Sequence, residues 1–168
     1  MEEAWLRGTI TNSLNNPILQ TAYTDLAFTN TSFYPDDLNT FNSWVNANLP
    51  NVNKAVLLTT HDYADIYGAA RSIPGDVALV EVFVGTPGWL SAHEVGHLYG
   101  GNHDNVIPEP PSPFCARAFK DGVVNGSTAT PIVSGMNPYL RQGFYSHPGT
   151  YGSTTRWNAG VIQNNWCN

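Results

Sequence analysis

Residues 91–104 read S-A-H-E-V-G-H-L-Y-G-G-N-H-D, and the spacing of their histidines constrains the fold more than any other feature of the chain. His93 and His97 are four residues apart. On a helix both imidazoles then share one face, one turn apart, where they can reach a single metal ion. Glu94 follows the first histidine directly, so it lies beside such an ion rather than on it. That is the position a base needs to take a proton from metal-bound water. Gly100 comes three residues after His97. With no Cβ it enters the left-handed region readily, stops the helix and turns the chain. The turn brings His103 back as a third nitrogen ligand. Three neutral imidazoles and one water make an open, tetrahedral zinc site of the catalytic kind.

A chain of 168 residues, 42% of them apolar, suits one domain with a sizeable core. The formal charge of −6 comes with few Lys and Arg and no basic run, which argues against nucleic acid and anionic membranes as partners. No apolar run approaches the roughly 20 residues that span a bilayer, so membrane insertion is not expected. The start, M-E-E-A-W, is acidic where a signal peptide is basic, which suits a mature form. Cys115 and Cys167 lack C-x-x-C spacing. An even count in a Lys-poor, Asn- and Thr-rich chain suggests a secreted protein with one disulfide between them, and two free thiols remain the alternative. Asn30-Thr31-Ser32 and Asn125-Gly126-Ser127 are glycosylation sequons.

Along the chain, Trp5, Leu6, Ile10 and Leu14 have rough helical spacing up to Asn15-Asn16-Pro17. Ala22 to Thr31 has strand-like composition. Asp36-Asp37 read as a helix N-cap, followed by an apolar stripe at Leu38, Phe41, Trp44 and Val45 that stops before Leu49-Pro50. Lys54 to Thr60 is a short buried strand by pattern, Tyr67 to Ala70 a short edge strand, and residues 73–76 a turn. Val77 to Val84 is the strongest strand signal. Thr86-Pro87 supply a cap and first-turn proline for the helix that carries His93. Beyond His103 the segment Pro108 to Pro113 cannot be regular, and Gly122 to Thr130 reads as a surface loop.

The pattern H-E-x-x-H-x-x-G-x-x-H at His93, Glu94, His97, Gly100 and His103 resembles the long zinc-binding motif of the metzincin metallopeptidases. From Leu38 to Asp104 the order of segments is similar to the adamalysin/reprolysin branch: a helix with Phe and Trp, A-V-L-L-T, Y-G-A-A, a strand, then A-H-E-V-G-H followed by His103 and Asp104. The resemblance implies an α+β fold of the α/β/α zincin type. Such a fold has a twisted mixed, mostly parallel sheet, an active-site helix, and a smaller irregular C-terminal subdomain ending in a helix. The single domain 1–168 would then divide into an upper part of about 1–103 and a lower part of about 104–168. The family's opening strand and long helix have no clear counterpart before Leu38.

The same resemblance makes Met136, the one methionine besides Met1, the methionine turn beneath the zinc. A soft apolar floor under three imidazoles suits that side chain, and a Met that fills a gap is the alternative. Tyr139 follows Met136 by three, where relatives place a catalytic Tyr two after the Met, so it is expected to line the pocket wall. Asp104 supports the turn after the third ligand. Phe144 to Pro148 leads into a last helix at Trp157 to Trp166, with Val161 and Ile162 on its core side. Gly68, Ala69 and Ala70 form the edge strand along which an extended substrate would pair. His61 and His147 lack a ligand partner at a telling spacing, and Asp62, Asp65 and Asp76 fit no calcium loop.

These readings predict a monomeric zinc endopeptidase on peptide or protein substrates, with Glu94 as general base. Two other readings stay open: a metzincin-fold binding module or toxin subunit without turnover, and a zinc amidase on cell-wall peptides.

Overall fold

The computed structural model describes residues 29–64, 66–82, 89–103, 116–117, 128–129, 140–141, 145 and 157–166. Over these residues the chain is mixed α+β, with three helices and a small mixed sheet. Helix α1 (Tyr34–Asn48) is followed by strands β1 (Ala55–Thr59), β2 (Gly68–Ala70) and β3 (Val77–Glu81). Helix α2 (Trp89–Leu98) comes next, then four two-residue strands and helix α3 (Asn158–Trp166). Among the described residues no helix is long and apolar enough to cross a membrane.

The start of α1 differs from the sequence reading. Phe33 is the cap residue, Pro35 lies in the first positions, and Asp36 and Asp37 fall within the first turn, where their charge suits the helix dipole. The stripe itself forms as expected, with Leu38, Phe41 and Val45 buried and Trp44 packed at its margin. Leu49 caps the other end, its N–H reaching the Val45 carbonyl at 2.7 Å, and Pro50 blocks continuation.

Strand β3 is central in the order β1-β3-β2. It runs parallel to β1 and antiparallel to β2. Among the described residues this three-stranded sheet has one parallel and one antiparallel pairing, and is mixed as expected without being mostly parallel. All five residues of β3 are buried, because both faces of the sheet are covered. Side chains alternate across a strand. Val77 and Leu79 join Leu57 and Tyr63 against Leu38, Phe41 and Val45 of α1, while Ala78 and Val80, also fully buried, face the opposite side, where α2 packs against β2 and β3. The strand ends at Glu81, short of Val84, because Glu81 pairs with the last residue of β1, Thr59. Val82 then turns its side chain to solvent.

Residues 29–31, read from sequence as the end of a strand, are not one. Thr31 instead donates its N–H to both carboxylate oxygens of Asp37 at 3.0 Å. The Tyr63 hydroxyl also donates to Asp37, the Tyr63 N–H donates to Glu81 at 2.6 Å, and the Asn30 amide donates to the Tyr63 hydroxyl at 2.7 Å. Burial alone would raise the Asp37 carboxyl, but the bonds from Tyr63, Thr31 and Asn30 more than offset it and hold the group below its usual range. Asn30, the first sequon residue, thus has its side chain engaged inside this knot.

Strands β4 (Gly101–Asn102) and β5 (Ala116–Arg117) pair in parallel, as do β6 (Thr128–Ala129) and β7 (Leu140–Arg141). Strand β6 falls within the segment read as a surface loop. Val161 and Ile162 of α3 are buried, as their spacing predicts. The helix expected near Trp5 to Leu14, most of the Ala22 to Thr31 segment, and Cys115 with Cys167 lie outside the described residues.

Candidate metal centre

Helix α2 carries W-L-S-A-H-E-V-G-H-L. The four-residue spacing sets the His93 and His97 rings 4.7 Å apart, edge to face. The helix ends at Leu98, and Gly100 adopts φ 91°, the left-handed conformation that its missing Cβ permits. Gly100 donates its N–H to the His97 carbonyl at 2.9 Å. The chain then reverses through β4 and delivers His103.

The three Nε2 atoms converge. His97 lies 3.1 Å from His93 and 3.1 Å from His103, and His93 lies 3.2 Å from His103. Among the described residues this is the one group of three or more metal-ligating side chains. A triangle with those sides has its centre about 1.8 Å from each corner (side over √3), just inside the roughly 2.0–2.1 Å of a zinc–imidazole bond. The three residues therefore fit a single ion, which His93, His97 and His103 would hold through these nitrogens. The donor chemistry agrees. His97 Nδ1 lies 2.8 Å from the Gly101 carbonyl, so a neutral ring donates there and turns its Nε2 lone pair inward. Burial pushes the His97 imidazole down to about 4, and the approach of His103 adds to this against the opposing Gly101 bond. The ring is therefore neutral at physiological pH, the form a metal requires.

Several residues that the sequence did not single out hold this cluster. The fully buried Asn158 of α3 brackets Asn102, accepting its N–H and donating to its carbonyl, each at 3.4 Å. Asn102 in turn accepts the His103 N–H at 2.9 Å. Asn165 donates to the Tyr99 carbonyl at 2.8 Å. Tyr145, 2% exposed, donates its hydroxyl to the Ala92 carbonyl at 2.5 Å, one residue before His93. Lys54 bonds the Gly75 carbonyl at 2.7 Å, and Gly75 donates to Leu98 at the end of α2.

Glu94 is 3% exposed, and its Oε1 lies 3.9 Å from His93 Nε2. Burial pushes its carboxyl up to about 8 against one opposing bond, from the Ala70 N–H. A divalent ion at the histidines would draw that value down again. Strand β2 therefore lies directly beside the acid. His61 packs edge-on against Tyr63 at 4.5 Å and takes no part in the cluster. Asp104, Met136, Tyr139 and His147 lie outside the described residues.

No family model, curated protein or solved structure matches the chain.

Proposed function

We propose that the chain is a zinc-dependent endopeptidase of the metzincin type, with His93, His97 and His103 as metal ligands and Glu94 as general base. The observation that carries this reading is the convergence of three inward-facing Nε2 atoms with a buried carboxylate 3.9 Å from one of them. A bound zinc ion would polarise the scissile carbonyl and bring its water near neutral ionisation. The Glu94 carboxylate accepts the water proton and returns it to the leaving amine. The three histidines stay neutral throughout, each fixed by the helix, the Gly100 turn or the Asn102–Asn158 bracket.

Strand β2 supplies the substrate rail. The Glu81 N–H donates to the Tyr67 carbonyl and the Arg71 N–H to the Val77 carbonyl. Bonded positions alternate in an antiparallel pair, so Gly68 and Ala70 turn their N–H and C=O groups away from β3, toward the edge that no described strand covers. An extended peptide pairs there by strand addition.

The zincin layering, a methionine floor at Met136, a turn support at Asp104 and a pocket wall at Tyr139 complete the proposal, for a secreted monomer. A quenched fluorescent peptide library tests it on the zinc-loaded wild type and Glu94→Gln. The expected result is cleavage by the wild type only, with one zinc per chain in both. Activity confined to cell-wall peptide amides would move the substrate class, and cleavage that survives Glu94→Gln would remove the base assignment.

A further inference from the structure

We infer that Gly68 is a positioning residue for the base, and that β2 aims the Glu94 carboxylate as well as receiving substrate. The inference rests on the peptidase reading. A Cβ at residue 68 would lie 2.8 Å from Glu94 Oε1, 2.9 Å from its Cγ and 3.1 Å from its Cδ. Two of these atoms are the acid's stem and carboxyl carbon, so a rotation of the carboxylate alone leaves the Cγ and Cδ contacts in place. Reaching the 3.5–4.0 Å of ordinary contact moves the acid by roughly 0.5–1 Å.

The acid has little room to give. It is 3% exposed, His93 Nε2 stands 3.9 Å from Oε1, and the Ala70 N–H donates to the carboxylate. Gly68 supplies the space, and the backbone N–H of Ala70, two residues on, supplies the orienting hydrogen bond. Ala69 points into the core beside Leu79. The Ala70 amide faces away from β3 and is already committed to Glu94. A substrate strand is therefore left the Gly68 N–H and the carbonyls of Gly68 and Ala70.

A double-variant cycle of Gly68→Ala and Glu94→Asp tests this, because Asp is shorter by one methylene and vacates the space a Cβ would enter. With the cleavable peptide, Gly68→Ala should keep one zinc per chain and lose about 10- to 100-fold in kcat, with KM within about threefold. In the Glu94→Asp background the same change should cost little more. The second readout needs no turnover. In metal-free protein, Gly68→Ala should lower the urea midpoint with Glu94 present and leave it nearly unchanged with Asp at 94. Equal losses in both backgrounds, or a rise in KM alone, would show that Gly68 acts independently of the acid and overturn the inference. Should Gly68→Ala fail to fold alone, folding of the double variant supports the contact and its failure refutes it. If the wild type cleaves nothing, the proposed activity falls while the urea cycle still decides the contact.

Discussion

Two buried polar clusters sit on opposite faces of the same sheet, and they satisfy themselves differently. On the α1 side, Asp37, Tyr63, Glu81, Asn30 and Thr31 match donors to acceptors: two N–H groups, a hydroxyl and an amide meet carboxylate and hydroxyl oxygens. On the α2 side, three imidazole nitrogens stand 3.1–3.2 Å from one another, with at least that of His97 presenting a lone pair inward. The first cluster pairs each of these donors with an oxygen acceptor. The second brings three ring nitrogens to one point, where a single cation could be held. Burial of polar groups is common to both, so what separates the structural knot from the candidate metal centre is whether donors face acceptors or ring nitrogens converge on one point.

The largest expected effect comes from removing a ligand. His97→Ala should reduce zinc binding by orders of magnitude and abolish the rise in melting temperature that zinc gives the wild type, as read by metal analysis and thermal scans with and without zinc. Glu94→Gln should keep the zinc and lose turnover. It should also stabilise the metal-free protein near pH 7. The folded carboxyl titrates at about 8 against 4.5 for the ordinary group, so the folded state holds more protons between those values and wild-type stability falls as pH rises through that window. Gln removes this slope, and urea midpoints at pH 5, 7 and 8.5 should converge on those of the wild type only at the acid end.

Tyr63→Phe breaks the other cluster. It should destabilise by about 1–3 kcal/mol by leaving Asp37 short of a donor, with zinc content unchanged. The Asp37 carboxyl lies below its ordinary 3.8, so its contribution is present above that pH and is lost as pH falls through the lower folded value. The difference between Tyr63→Phe and wild type should therefore shrink in strong acid, as denaturation curves would show. The smallest effect is expected at Asn158→Ala. Loss of the bracket on Asn102 should weaken zinc about 10-fold, the low end for an outer-shell partner, as read by competition with a chelator. A change in stability without a change in zinc affinity would assign Asn158 to packing alone.

What the sequence reveals divides along the same line. The ligand set is legible because its geometry is local: four residues make a helical turn, and Gly100 takes the positive φ that reverses the chain. The strand pattern of Val77 to Glu81 is legible because both faces are buried. The supports are not legible, because Asn158 reaches Asn102 across 56 positions and Tyr145 reaches Ala92 across 53, and no local pattern encodes such pairs. Asp37 resembles a cap because Asp at a helix start usually is one. The start lies earlier, at Tyr34, and the Asp37 carboxylate accepts from the Thr31 N–H before the helix. The end of β3 is set by its neighbour β1, a long-range fact that the apolar run through Val84 conceals.

The most direct test of the metal centre is X-ray absorption at the zinc edge, on protein loaded with one equivalent of zinc. Three imidazole nitrogens and one oxygen are expected at about 2.0–2.1 Å, with the three-imidazole signature lost in His103→Ala. Zinc that fails to bind at one per chain, or that binds through fewer than three imidazoles, would contradict this assignment.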